Sequence, residues 1–319
     1  MGGALDPAVA TGRNLVRDAL ADLGPGARVV LGVSGGADSL ALAAVTSFVA
    51  DRASYELSAV VVDHGLQDGS AAVATRAVDQ LATLGVGARV VTVDVGRVGG
   101  PEAAARTARR ATLADAGADA GAVLLAHTLD DQAETVLLGL GRGSGPRSIS
   151  GMAPRDGLWR RPFLTLRRAD TERICRVHGL DWWTDPHNSD PVFRRARVRA
   201  ELMPLLEDVL GGGVAEALAR TADQVRADTT HLDLLAGRID DVHDVGTLAD
   251  LPAALRSRAL RRAALAAGAD PAALSAGHLA ELDRLVTDWR GQRRVELPGG
   301  ICASRTGSSL SFTDTPVGG

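Results

Sequence analysis

Ala27-Arg28-Val29-Val30-Leu31-Gly32-Val33 runs without a break into Ser34-Gly35-Gly36-Ala37-Asp38-Ser39, and a helical pattern follows over 39–51. The first seven residues form a short apolar run bounded by Gly24-Pro25-Gly26 and by a glycine pair, which reads as a buried strand. The two glycines let the backbone come close to a ligand. The helix behind them offers free N–H groups and a positive dipole end, so the turn is a phosphate cradle. Ser34 and Ser39 add hydroxyl donors, and the Ala37 amide belongs to the same turn. Asp38 is out of place among anions unless a metal ion accompanies the phosphates. An ordinary strand–turn–helix with Ser and Asp as caps would need no ligand, but the full SGGADS pattern directly after a buried strand favours the cradle.

Similar apolar runs recur at 57–62, 89–95 and 122–126, separated by helical stretches at 70–84, 102–117 and 131–140, with another helix at 8–23. Strands alternating with helices predict an α/β fold with a doubly wound, mainly parallel sheet. Ligands in such sheets bind outside the C-terminal strand ends. From 143 the texture changes: residues 147–199 hold 12 Arg against 6 Asp and Glu. Helices are expected at about 214–242, 248–267 and 276–289. Strands at 293–297, 301–304 and 310–312 then surround Pro298-Gly299-Gly300, and 313–319 read as a frayed end. With Gly211-Gly212-Gly213 as the joint, 1–210 is the expected nucleotide-binding domain. Residues 211–319 are a smaller, mostly helical accessory domain with a short terminal hairpin.

The chain has 319 residues, a net charge of −4, and no lysine among its 35 basic residues. The missing lysine excludes a Walker A loop, a kinase fold with a strand lysine, and Schiff-base enzymes. Cys175 and Cys302 are too few and too far apart for a CxxC metal, iron–sulfur or redox site. No apolar run approaches the roughly 20 residues that span a bilayer, and the N-terminus lacks the apolar core of a signal peptide, so a cytoplasmic protein is expected.

The chemistry-bearing residues cluster after the strands. Val62-Asp63-His64-Gly65-Leu66-Gln67 follows the second. Ala126-His127-Thr128-Leu129-Asp130-Asp131-Gln132-Ala133-Glu134-Thr135 follows the fourth and continues to Gly141-Arg142-Gly143-Ser144-Gly145. Between them lies Glu102-Ala103-Ala104-Ala105-Arg106-Thr107-Ala108-Arg109, and later come Asp185-Pro186-His187-Asn188-Ser189-Asp190 and Phe193-Arg194-Arg195-Ala196-Arg197-Val198-Arg199. Asp131 and Glu134 share a helix face. Three carboxylates beside a phosphate loop repel nucleotide unless cations lie between them, and Mg²⁺ or an ammonium group would serve. A dipole-favoured acidic helix start would be the plainer reading. The arginine tract can pair with phosphate and stack on bases. Trp182-Trp183 reads as packing before base stacking.

This ordered set resembles the tRNA(Ile)-lysidine synthetases, within the PP-loop class of N-type ATP pyrophosphatases. The resemblance covers roughly 27–210 well and the rest loosely. It implies an ATP-dependent ligase that adenylates the wobble cytidine of an isoleucine tRNA with a CAU anticodon. Free L-lysine then joins that base, leaving lysidine, AMP and pyrophosphate. It implies that Ser34, Gly35, Gly36, Ala37, Asp38 and Ser39, with His64 and His127, hold ATP. Asp38 and Asp130 would hold Mg²⁺, and Asp130, Asp131 and Arg106 would be catalytic. Asp131 and Glu134 would bind lysine, and Arg194, Arg195 and Arg197 would contact tRNA, as would the accessory domain of 211–319. A homodimer is a further expectation from the resemblance. Two departures stand out: His127-Thr128 where the family often has two histidines, and Arg195-Ala196-Arg197 for an RNR-type pattern. The alternatives are another PP-loop ligase or tRNA-modifying enzyme, and a non-catalytic adenine-nucleotide sensor. A thiolase would carry cysteines near the loop, and a sensor gains nothing from three carboxylates beside phosphates.

Overall fold

The computed structural model describes residues 5–65, 69–93, 101–143, 145–185, 190–291 and 294–315, apart from the side chains of 101–103. Leu66-Gln67, the Glu102 side chain, Ser144, Pro186-His187-Asn188-Ser189 and the last four residues of the expected frayed end lie outside the described residues. The chain divides into two units, one of residues 1–137 and 152–219, the other of 138–151 and 220–319.

The first unit opens with α1 (Pro7–Ala19), β1 (Arg28–Val33), α2 (Ala37–Ala53), β2 (Glu56–Asp63), α3 (Ser70–Thr83) and β3 (Gly87–Thr92). It continues with α4 (Pro101–Ala116), β4 (Ala122–Leu124) and α5 (Leu129–Arg142); the short α6 (Pro146–Ile149) belongs to the second unit. β5 (Arg155–Asp156), β6 (Trp159–Arg160) and α7 (Arg168–Val177) follow. After them come α8 (Arg194–Arg197), a π-helical turn (Val198–Leu202), α9 (Met203–Leu210) and α10 (Val214–Gly237), the last of which crosses into the second unit.

The sheet order is β3-β2-β1-β4-β6-β5, parallel except for β5. β1 lies between β2 and β4, with Leu31 beside Ala59 on one side and Leu124 on the other. A central parallel strand is covered on both faces, which is why its residues are almost all apolar. Val29, Leu31 and Val33 point into one core with α1, α2 and α7, while Val30 points into another with Val60, Leu113, Val123 and Trp159. α2 is buried around most of its circumference, and its alanines let it lie close between neighbours. Gly32 answers the same demand, since a Cβ there would come within 2.8 Å of Leu113 Cδ1. The chain leaves β1 toward β2 and β3, then returns to the other side of β1 as β4. This reversal opens a crevice at the C-terminal ends of β1 and β4, the place where ligands enter such sheets.

The β5–β6 hairpin and α7 were not legible in the Arg-rich tract, because only Thr171, Ile174 and Cys175 of α7 are buried.

The second unit is built from α6, α11 (Val245–Ala249), α12 (Ala253–Ala266), α13 (Ala276–Thr287) and three antiparallel strands. These are β7 (Val295–Leu297), β8 (Ile301–Thr306) and β9 (Ser309–Asp314). The expected 248–267 helix is divided at Leu251-Pro252, since proline cannot continue the ladder of a preceding helix. The strands form a three-stranded sheet rather than a hairpin. Its core joins Leu248, Leu260 and Leu282 to Ile301 and Leu310. Among the described residues, no helix is long and apolar enough to cross a membrane.

Candidate active site

Immediately after β1 the chain turns through Gly35 at φ +82°, a backbone conformation that glycine adopts at little cost. Gly36 caps α2 without a side-chain hydrogen bond, so the first α2 amides face the crevice as donors. The serines close the loop on itself: the Ser34 amide donates to Ser39 Oγ at 3.2 Å, and that hydroxyl donates to the Gly36 carbonyl at 2.9 Å. The Trp183 amide donates to the Gly35 carbonyl at 3.0 Å, pinning the turn from outside.

Asp38, on the first turn of α2, accepts from the Thr171 hydroxyl and lies 3.4 Å from Arg168 Nε. Asp131, on the first turn of α5, accepts from the Thr128 amide at 2.8 Å and from its hydroxyl at 3.1 Å. Its other oxygen faces Arg168 Nη2 at 3.3 Å and Arg199 Nη2 at 3.5 Å. Glu134, one turn along α5, accepts from Arg199 Nε at 2.7 Å through Oε1. Its Oε2 is buried with no hydrogen-bond partner among the described residues. Asp38, Asp131 and Glu134 therefore form one chain, linked by Arg168 and Arg199. Asp130 belongs to another: it accepts from the Arg168 amide at 2.8 Å and lies 3.0 Å from Arg167 Nη2, tying α5 to the start of α7.

Burial raises the Asp38 carboxyl above its usual range against Arg168 and Thr171, with Asp131 adding to the rise. Burial likewise raises Glu134 against Arg199, again with Asp131 adding. Burial works the same way on Asp131, but Arg168, the Thr128 amide and Arg199 outweigh it and hold this carboxyl low. Asp131 thus stays ionised, while Glu134 is the readier proton acceptor.

On the other flank lie His64, His127, Arg106, Arg109 and Arg161. Burial drives His127 down to about 3 against the pull of Asp131, and Arg109, Arg161 and Arg106 reinforce it. His64 is lowered by burial and by Arg109, against Asp63. Both imidazoles are neutral at pH 7, and the Nδ1 atoms of both are buried without a hydrogen-bond partner among the described residues. Arg161 is 7% exposed and donates to the Ala153 carbonyl at 2.7 Å. The site is divided: carboxylates toward α5 and α7, cations and neutral imidazoles toward the ends of β2, β4 and β6.

Residues 13–206 match the model of the PP-loop domain, and 244–307 match that of the TilS substrate binding domain. The tRNA(Ile)-lysidine synthase of Thermobifida fusca (strain YX) is 52% identical over 304 residues, 92% of this chain and 94% of its own. That of Nocardia farcinica (strain IFM 10152) is 54% identical over 302 residues, 92% of this chain and 93% of its own.

The chain belongs to the tRNA(Ile)-lysidine synthase family.

The U34-tRNA thiolase NcsA from Methanococcus maripaludis, solved with its [4Fe-4S] cluster, shares the fold, with a TM-score of 0.58 at 18% identity over 68% of this chain and 79% of that one. A lysidine synthase of PP-loop type uses ATP.

Within this chain, the first unit brings together Ser34, Gly35, Gly36, Ala37, Asp38, Ser39, His64, His127, Asp131 and Glu134. Arg106 is exposed on α4, with its charge felt at Arg109, His127 and Arg161. The arginine tract is split by helix geometry. Arg195 and Arg199 are one turn apart and face α5, where Arg195 Nη2 donates to the Thr135 hydroxyl at 3.2 Å. Arg194 and Arg197 are exposed, and Arg197 pairs with Glu201 at 2.8 Å. Arg168, Thr171 and Arg161 were missed. Their pattern, Arg160-Arg161-Pro162 followed by Arg167-Arg168, was visible only as local charge. The signal that could have found Arg168 is the unpaired acidity itself: one buried and two half-buried carboxylates call for a cation among them.

Magnesium is tested by the same donors. Among the described residues, no group of three or more His, Cys, Asp or Glu is arranged to hold a metal. Asp38 and Asp131 supply hard oxygen donors around one shared cation, Arg168. A Mg²⁺ ion held by one or two carboxylates together with substrate phosphates fits such a pair.

Proposed function

We propose that the crevice at the ends of β1 and β4 joins free L-lysine to the wobble cytidine of an isoleucine tRNA bearing a CAU anticodon, with Asp131 and Glu134 receiving lysine. The chain is an ATP-dependent ligase of the lysidine synthase family. In the first step the C2 oxygen of the cytidine attacks the α-phosphate of ATP, and pyrophosphate leaves. The ε-amine of lysine then attacks C2 and expels AMP.

The observation that carries this reading is the carboxylate chain Asp38–Arg168–Asp131–Arg199–Glu134 at the mouth of the phosphate loop. Carboxylates buried there select cationic groups, and lysine brings two ammonium groups. Asp131, held ionised, anchors one. Glu134 takes a proton from the ε-amine: its raised carboxyl narrows the gap to the amine, and its partnerless Oε2 is the oxygen available to receive it. Ser34, Ser39 and the amides after Gly35 and Gly36 hold phosphate oxygens. Neutral His64 and His127 line the phosphates, while Arg106, Arg109 and Arg161 offset charge on the departing pyrophosphate. Asp38, together with phosphate oxygens, would hold Mg²⁺, which neutralises phosphate charge when bound; Asp130, expected from sequence as its second ligand, fixes the α5–α7 corner instead. Arg194, Arg195 and Arg197 contact the tRNA. A cytoplasmic location and a homodimer complete the proposal.

Glu134→Gln separates the two steps. It is expected to leave tRNA-dependent pyrophosphate release within about threefold of wild type while lowering labelled-lysine transfer by about 100-fold or more. Equal loss in both steps, or lysine transfer at the wild-type rate, would remove Glu134 from proton transfer.

A further inference from the structure

Gln132 follows Asp131 on α5, is 2% exposed, and takes no part in the carboxylate chain. Its side-chain amide closes on a single residue. Nε2 donates to the Met152 carbonyl at 3.0 Å, and Oε1 accepts from the Met152 amide at 2.7 Å. A carboxamide carries donors on one atom and an acceptor on the other, so both bonds form in only one orientation of side chain and backbone. Met152 is where the chain re-enters the first unit. The next carbonyl, that of Ala153, accepts from Arg161 Nη1 at 2.7 Å, and the Pro154 carbonyl accepts from the Arg161 amide at 2.8 Å. Three consecutive residues thus connect Gln132 to Arg161: the first is clamped, and the second and third hold the arginine.

Arg161 is a costly group to hold in this way. It is almost wholly buried, and its Nε has no hydrogen-bond partner among the described residues. No carboxylate among those residues forms an ion pair with it. Burial weakens its hold on its proton, Asp156 opposes through space, and Arg110 and Arg106 add to the effect of burial. A buried cation without a counter-charge is strongly unfavourable until an anion arrives. The place for that anion is set by the sheet. The Leu125 amide donates to the Arg160 carbonyl at 2.9 Å, which puts Arg161 beside the turn from β4 into His127, where its charge is felt. Those are the C-terminal strand ends at which ligands bind.

We propose that Gln132 is a positioning residue for the adenylation step. By fixing Met152 it holds the Ala153 and Pro154 carbonyls in place, and they aim the Arg161 guanidinium at the phosphates of ATP. This rests on the reading of Arg161 as a cation that faces the departing pyrophosphate. In that step the cytidine C2 oxygen bonds to the α-phosphorus, the bond from that phosphorus to the bridging oxygen breaks, and the electron pair leaves with pyrophosphate. A guanidinium fork meets two phosphate oxygens at once only when its plane is set, and the clamp sets it. Gln132 acts through Arg161 and not on the substrate.

The test is a double-mutant cycle on the single-turnover rate of pyrophosphate release, measured with the full chain, ATP, Mg²⁺ and the CAU-anticodon tRNA(Ile) transcript. Gln132→Met keeps the volume and removes the clamp, while Arg161→Lys keeps the charge and removes the fork. Urea midpoints fix conditions in which every variant is folded. Gln132→Met is expected to lower the rate about 30-fold, with tRNA affinity within about twofold of wild type. Arg161→Lys should lower the rate about 100-fold. The double variant should lie within about threefold of Arg161→Lys alone, because the clamp then has no fork left to aim. Losses that multiply in folded proteins would overturn the proposal, as would a wild-type rate in Gln132→Met; a clamp that only stabilises the fold predicts one or the other. If Gln132→Met does not fold, Gln132→Asn, whose amide is one methylene shorter, takes its place in the cycle with the same criteria. The ligase reading fails on a different result, absence of tRNA-dependent pyrophosphate release by the wild-type protein. The same cycle measured on ATP affinity by calorimetry then decides the clamp by the same coupling.

Discussion

At the residue scale, the central contact is Arg168, which is 28% exposed and faces both Asp38 and Asp131. Removing one partner of a largely buried charge group leaves the others uncompensated. Arg168→Ala is expected to lower stability by about 3 kcal/mol in urea unfolding at pH 7 and to weaken ATP binding by about tenfold or more. Arg168→Lys should recover much of the stability and little of the binding, because a point charge cannot serve two carboxylates as a planar fork does. Full recovery of both by lysine would show that charge alone matters. His127 gives a second, pH-dependent prediction. Folded His127 stays neutral down to about pH 3, whereas an unfolded histidine takes a proton near 6.5. Its contribution is present above pH 6.5 and lost as pH falls toward 3, at up to about 1.4 kcal/mol per pH unit. Asp38 and Glu134, raised by burial, act in the opposite direction, so the comparison must be made within a pair of proteins. His127→Gln should flatten the decline in urea stability between about pH 6.5 and 4.5 by about one proton relative to wild type. Identical slopes would show that His127 titrates in the folded state. The carboxylates and histidines were legible because each follows a strand end. Arg168 and Arg161 were not, since a chain whose basic residues are all arginine hides a buried arginine among solvated ones.

At the element scale, the apolar runs and their glycine boundaries fixed β1, β2, β4 and the helices between them to within a few residues. A parallel strand covered on both faces leaves little choice of side chain. The β5–β6 hairpin has two residues per strand, too short for any period to show. α7 was hidden because it buries a single narrow stripe and is otherwise charged. The π-helical turn at Val198–Leu202 has no sequence signal, yet Arg199 lies in it and reaches Glu134 from there; turns of this kind often occur at functional sites. The close approach of α5 and α6 depends on Gly139. Gly139→Ala forces a methyl into the Ser148 carbonyl and should destabilise the second unit by about 1–3 kcal/mol, as overpacking does. Hydrogen exchange at the amides of 146–151 should quicken by about tenfold or more. Unchanged exchange there would mean that α6 shifts aside without cost.

At the scale of the whole molecule, a net charge of −4 coexists with a basic tract in the first unit and an arginine cluster in the second. Charge is therefore distributed by site rather than evenly over the chain. Function was legible at this scale only through the order of motifs and the family it resembles: the phosphate loop by itself points to nucleotide chemistry, and the acidic residues by themselves call for a cation, either Mg²⁺ or an ammonium group. The composition of the second unit carried no such signal, because its acids and arginines nearly balance and only folding brings Arg147 and Arg258 to Asp233. The most direct test of lysidine formation follows pyrophosphate release and labelled-lysine incorporation by the purified protein with ATP, Mg²⁺ and CAU-anticodon isoleucine tRNA. Elongator methionine tRNA, which shares that anticodon, is the control. Pyrophosphate release should require the isoleucine tRNA, and one lysine should enter each tRNA only when lysine is present. ATP turnover indifferent to tRNA, or lysine transfer to both tRNAs alike, would contradict the assignment.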